Sequence, residues 1–181
     1  VRAWRREGRA LLPEGIDLLP RVRDGAVAWE PTAGTWQVWV IGARRKSRTL
    51  NPMHPEAGTR VIERFFQPCA DRAPGGTAEG LNYFFQDELQ FGVGSRMWCA
   101  DFAEQFRRRK GYDILDRLPA LFEDIGPVTV KVRLDYADVK VRLCEERYFR
   151  PIFDWHWSRG MIYGCDPGSR GRNPAEFGDY M

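Results

Sequence analysis

The stretch of sequence that decides the fold is LNYFFQDELQFG, residues 81–92. Its aromatic half, Leu81 to Gln86, favours a buried strand, because aromatic side chains pack well on a pleated surface. The strand stops at two adjacent carboxylates, Asp87 and Glu88. Ligands bind and catalytic groups project at the carboxyl ends of parallel strands, so the two acids are candidate catalytic residues. The alternative interpretation is an acidic loop that caps the following helix.

Composition limits the classes of protein to consider. The chain has 181 residues, 43% of them hydrophobic, which is enough for one sizeable core. The net charge of +3 is too balanced to indicate a nucleic-acid partner. No apolar run approaches the length of about 20 residues that spans a membrane. The four cysteines fit no zinc spacing, so no metal site is predicted from them: Cys69, Cys99, Cys144 and Cys165.

Two further strands are predicted, at residues 36–42 and 161–165. Between them, apolar residues recur every three or four positions from Val130 to Trp155, which predicts a long helix. Residues 1–35 carry only short strands and turns, and one of the turns is predicted at Asp24-Gly25. A shorter helix is predicted to begin near Pro55, since proline suits the first turn.

Asp101 and Glu104 have the spacing of a capping box, and Gly111 lies past the end of the helix that they open. Each of the two histidines has a structural and a functional interpretation. His54 is interpreted as the start of a helix, and His156, between two tryptophans, as a packing residue.

Strands that alternate with helices predict right-handed crossovers and a parallel sheet. A complete (β/α)8 barrel needs about 250 residues. The predicted fold is therefore α/β, a partial (β/α)8 TIM-type barrel with parallel strands and long crossover helices. In this interpretation residues 1–35 lead into the barrel and residues 36–181 form its N-terminal part.

The order and spacing of several motifs resemble one family of bacterial enzymes, the glycoside hydrolases similar to family 106, the α-L-rhamnosidase-like group. The resemblance covers roughly residues 25–181. The motifs are Trp29–Pro31, Gly34–Val38, Phe85–Glu88, Trp98–Phe102, Phe106–Asp113, Leu118–Phe122, Arg133–Tyr136, Tyr148–Ile152 with Trp155, and Gly160–Gly164.

The resemblance implies a barrel that cleaves a glycosidic bond in a plant polysaccharide or glycoside, within a periplasmic or secreted enzyme. The resemblance implies that no cofactor is required. It also implies a calcium ion near the sugar hydroxyls. Glu88 matches the glutamate of the family's aromatic-Asp-Glu motif, and Asp87 the residue before it. One departure bears on the substrate: relatives often have Gly-His where this chain has Gly164 and Cys165.

The chemistry agrees with this assignment. Glycoside hydrolysis uses one carboxylic acid to protonate the leaving oxygen and a second carboxylate as base or nucleophile. The apolar neighbours of Glu88 suit an acid with a raised pKa. For the second carboxylate, Asp166, Glu176 and Asp179 are candidates, and a position outside this sequence is the favoured interpretation.

Four residues are predicted to contact the sugar: Asp166, Arg170, Asn51 and Glu176. Because the predicted barrel is incomplete, we expect the isolated chain to be inactive. Two other functions stay open at this point. One is a non-catalytic, carbohydrate-binding relative, and the other is an unrelated barrel lyase or isomerase that uses Glu88 as a base.

Overall fold

The computed structural model describes residues 1–44, 50–73, 83–86 and 96–165. These residues form two compact units. Unit 1 lies within Val1–Arg45 and Asp101–Tyr136, and unit 2 lies within Lys46–Ala100 and Ala137–Met181. The division predicted from the sequence, at residue 36, stays a prediction.

Strands are numbered in chain order. Among the described residues they are β1 (Arg2–Glu7), β2 (Ala10–Leu11), β3 (Ile16–Asp17), β4 (Val22–Arg23), β5 (Ala26–Val27), β6 (Thr35–Trp39), β7 (Tyr83–Gln86) and β8 (Ile162–Cys165).

The described helices are α1 (Ala57–Val61), α2 (Gln67–Asp71), α3 (Phe102–Lys110), α4 (Thr129–Cys144) and α5 (Arg150–Trp157). Two segments are 3-10 helices, Leu19–Arg21 and Ile114–Leu121. Two others have π-helical hydrogen bonding, Ile62–Phe66 and Glu145–Phe149.

Strand β1 organises the sheet of unit 1. It pairs antiparallel with β6 along five residues and with β2 and β3 on shorter stretches. The β1–β2 hairpin turns at Gly8, whose φ of 60° suits a two-residue loop. The separate β4–β5 hairpin turns at Asp24 and Gly25, which both have positive φ. The turn predicted at Asp24-Gly25 is therefore confirmed.

Trp4 anchors the core of unit 1. Its side chain is 2% exposed and clusters with Leu11, Ala120 and Val132. Its Nε1 donates a hydrogen bond to the carbonyl oxygen of Asp116 at 2.7 Å. The ring therefore buries its apolar surface without leaving the indole N–H unpaired, which is the usual requirement for a buried tryptophan.

Helix α3 ends where the sequence predicts. Gly111 has a φ of 78° and its N–H donates to the carbonyl of Arg107, which is the expected left-handed cap. The predicted capping box is wrong. The side chain of Asp101 accepts from Gln105 Nε2 and caps no backbone N–H.

The long helix predicted over residues 130–155 is continuous in the structure but changes its hydrogen bonding on the way. Helix α4 passes into the π segment Glu145–Phe149, and α5 follows directly. The N–H of Arg150 donates to the carbonyl of Glu145, five residues earlier. The next residue is Pro151, which has no N–H to continue the α-helical pattern.

In unit 2, β7 and β8 form a two-stranded parallel sheet, with Tyr83 opposite Ile162 and Gln86 opposite Cys165. One face carries the half-exposed rings of Tyr83 and Phe85. The other face carries Phe84, which packs on Phe66 with 4.9 Å between ring centroids.

The predicted partial (β/α)8 TIM-type barrel is wrong. Strand β6, which was predicted to join β7 and β8 in one parallel sheet, pairs antiparallel with β1 instead. Among the described residues, β7 and β8 form a parallel pair, and the remaining strand pairs are antiparallel. The sheets there have only two to four strands. The Arg-rich β1 has no apolar alternation that predicts a strand. Its pairing with β6 therefore could not be predicted from the sequence pattern.

We predict that Gly58→Ala destabilises unit 2. In an open helix the change would stabilise by up to about 1 kcal/mol. Here a Cβ would lie 2.7 Å from the carbonyl oxygen of Tyr148 and 3.0 Å from that of Arg147. Backbone atoms cannot swing aside, so we expect a net loss of about 1–3 kcal/mol, as for overpacked cores.

The measurement is urea unfolding of both variants and the wild type. Gly42→Ala is the matched control, because its Cβ would meet nothing within 4 Å. Equal midpoints for Gly58→Ala and the wild type would contradict the close approach.

Candidate functional site

The strand pair of unit 2 brings two predicted site segments to one edge. Because β7 and β8 are parallel and Gln86 is opposite Cys165, the chain leaves both strands at the same edge of the sheet. The next residues in the sequence are Asp87 and Asp166. This edge is the candidate active site.

Most predicted site residues lie outside the described residues. They are Asp87, Glu88, Asp166, Arg170, Glu176 and Asp179. Their catalytic and sugar-binding roles stay predictions.

Asn51 is the predicted sugar-binding residue that the structure describes. Its Nδ2 donates to the carbonyl oxygen of Trp98 at 2.8 Å, and its Oδ1 accepts from the N–H of Met53 at 3.0 Å. Both polar groups of the Asn51 side chain are therefore hydrogen-bonded to backbone atoms of unit 2. A contact with the sugar stays a prediction.

Gln86, the last residue of β7, is a residue to which sequence reasoning assigned no role. Its Oε1 accepts hydrogen bonds from two phenols, Tyr148 at 2.9 Å and Tyr163. Tyr148 belongs to the π segment Glu145–Phe149 and is 1% exposed, and Tyr163 belongs to β8. The sequence signal that could have found Gln86 is its place on the same face of β7 as Phe84. A polar group on a packed face needs a hydrogen-bond partner.

His156 lies beneath the strand pair and is 1% exposed. Its Nδ1 is 2.7 Å from the carbonyl oxygen of Ile152 and therefore carries the proton. Its Nε2 has no hydrogen-bond partner among the residues that the structure describes. The surrounding rings are those of Phe66, Phe84 and Tyr163, with centroids 4.7–5.4 Å from the imidazole.

Burial lowers the pKa of His156 below its ordinary value, because desolvation disfavours the charged ring. The hydrogen bond to Ile152 opposes this shift, and the charge of Arg159 adds to it. The burial of His156 and its ring contacts with Phe66, Phe84 and Tyr163 confirm the packing interpretation.

The calcium ion implied by the resemblance finds no ready set of ligands in the described part of the chain. No three His, Cys, Asp or Glu side chains there are grouped so that they could hold a metal ion. Because backbone and amide oxygens also bind calcium, the implied ion stays a prediction. No helix in the described ranges has the length and apolar character needed to cross a membrane.

Sequence comparison defines the class of protein as a glycoside hydrolase. A family model described as alpha-L-rhamnosidase, that of glycoside hydrolase family 106, matches residues 13–130. The chain belongs to this family, as the resemblance indicated. The matched range includes β7 and the Asp87-Glu88 pair and ends before β8. No curated protein matches the chain.

We predict that His156 makes the stability of the protein pH-dependent below neutral pH. The pKa of His156 in the folded state lies below the value of about 6.5 that it has when unfolded. As the pH falls through that unfolded value, the unfolded state takes up a proton that the folded state does not. The free energy of unfolding should therefore fall until the pH reaches the folded pKa.

The check is urea unfolding between pH 7.5 and pH 5. His156→Gln should flatten the decline, because the amide does not titrate. His54→Gln removes the other histidine, which is exposed, and is the control for loss of an imidazole. The same decline in His156→Gln as in the wild type would exclude His156 as its source.

Proposed function

We propose that this protein is a glycosidase that cleaves α-L-rhamnosides, with Glu88 as general acid. The observation that carries the proposal is the family match, which extends over Asp87 and Glu88. The parallel register of β7 and β8 supports it, because the edge where both strands end is also where the sequence continues into the candidate acids.

In the proposed mechanism, Glu88 donates its proton to the glycosidic oxygen as the bond to the leaving group breaks. A second carboxylate activates water or attacks the anomeric carbon. Asp87, the residue before Glu88 in the sequence, is proposed as a further catalytic residue. Asp166, Arg170, Asn51 and Glu176 are proposed to contact the sugar.

The substrate proposed is a plant polysaccharide or glycoside, and the proposed location of the enzyme is periplasmic or secreted. Both follow from the family resemblance. Family membership itself supports the coarser statement, that the substrate is a carbohydrate.

We expect Glu88→Gln to lower kcat at least about a hundredfold on an aryl α-L-rhamnoside, since acid–base groups contribute roughly 10²–10⁴. The variant is measured in the full-length protein. Glu63→Gln, which neutralises an exposed carboxylate in unit 2, is the control and should keep wild-type turnover.

The leaving group separates the two possible roles of Glu88. A dinitrophenyl rhamnoside needs no protonation for its bond to break, so Glu88→Gln should keep close to the wild-type kcat/KM on it if Glu88 is the general acid. Equal losses on both substrates would assign Glu88 to the base or nucleophile. Near-normal turnover on the ordinary aryl rhamnoside would sink the assignment of Glu88 as the general acid.

We also expect the 181-residue chain alone to leave an aryl rhamnoside uncleaved, because the second carboxylate is proposed to lie outside this sequence. Parallel assays of this chain and of the full-length protein test it. Hydrolysis by the chain alone would place both carboxyl groups within residues 1–181.

A further inference from the structure

The end of β7 is fixed by its side chain as well as by its backbone. Gln86 Oε1 accepts from the hydroxyls of Tyr148 and Tyr163, which come from two separate elements. The three side chains are referred to as the Gln86 clamp. Gln86 is two residues before Glu88 in the sequence.

Tyr148 is held firmly on its own side of the clamp. Its side chain is 1% exposed, and its ring packs edge-on against Phe149 with centroids 5.0 Å apart. Its backbone carbonyl faces Gly58 so closely that no Cβ would fit. The hydroxyl of Tyr148 is therefore a fixed donor.

Tyr163 connects the clamp to the second strand. It lies opposite Phe84 in the β7–β8 register, two residues before the position of Gln86. Its ring packs against His156 and Phe66 beneath the sheet, with centroids 5.0 and 6.1 Å away. The clamp thus joins the end of β7 to Tyr163 of β8 and to the helical layer of unit 2.

We propose that Gln86 is a positioning residue for the catalytic acid. With its Oε1 held by two phenols, the side chain fixes the end of β7, two residues before Glu88 in the sequence. The inference rests on the proposed function, since it assumes that Glu88 is the acid. Gln86 is not proposed to touch the substrate.

Two variants test the clamp in the full-length protein. Gln86→Met keeps the length of the side chain and removes the acceptor, and Tyr163→Phe removes one donor. We expect Gln86→Met to lower kcat about ten- to a hundredfold with KM little changed, because a small misplacement of a catalytic group can cost up to about a hundredfold. Tyr163→Phe should give a smaller loss.

If Gln86 has only a structural role, Gln86→Met should lower the melting temperature, and its loss of activity should not depend on the leaving group. In a positioning role, the loss in kcat/KM should be large on an ordinary aryl rhamnoside and small on the dinitrophenyl rhamnoside. The double variant should be no slower than Gln86→Met, because both changes break the same contact.

Tyr112→Phe is the matched control. It also removes a hydroxyl that donates to a side chain, but the acceptor is Asp135 in unit 1, at 2.8 Å. Its kcat should match the wild type. If Gln86→Met fails to fold, Tyr163→Phe, which keeps its ring, carries the test.

The outcomes separate the two proposals. Wild-type kcat in Gln86→Met and Tyr163→Phe, with Glu88→Gln inactive, would overturn the positioning role and leave the proposed function standing. Equal losses on both substrates would also overturn it, provided that Glu88→Gln shows the dependence on leaving group. Normal turnover by Glu88→Gln would overturn both proposals.

Discussion

The missing N–H of proline shapes the helical layer of unit 2. Pro68 and Pro151 each follow a π segment by two residues, and the residue before each proline donates to a carbonyl five residues earlier. A proline inside a helix removes one α-helical bond and crowds the preceding turn. The wider π turn accommodates both, and π segments of this kind are frequent at functional sites.

The first of these segments places Phe66 and the second places Tyr148. Phe66 lies at the centre of the aromatic core, stacked on Trp155 at 5.9 Å and edge-on to His156 at 4.7 Å. Tyr148 projects its hydroxyl to Gln86. Two prolines therefore set the positions of side chains that support the strand ends.

Local features of the fold could be predicted from the sequence. The end of α3 at Gly111, the turn at Asp24-Gly25 and the long helix through residues 130–155 depend on nearby residues alone. The partnership of β6 with β1 could not be predicted, because no local pattern distinguishes an antiparallel partner 30 residues away from a parallel one further along.

The residues of the candidate site likewise divide into those that the sequence predicts and those that it does not. Asp87 and Glu88 stand out because they interrupt an aromatic strand, and the family match extends over them. The Gln86 clamp did not stand out, because Tyr148 and Tyr163 are 62 and 77 residues away in the sequence. The π segments leave a trace, a pair of aromatic residues followed by one residue and proline, at Phe65–Pro68 and Tyr148–Pro151.

The chemistry of position 86 explains why an amide suits it. The face that it shares with Phe84 is packed against the helical layer, so a polar side chain there needs hydrogen-bond partners. A carboxylate would accept the same two phenols. It would also bring a negative charge into this packed face, where desolvation disfavours the charged form. The amide of Gln86 supplies the acceptor without the cost of burying that charge.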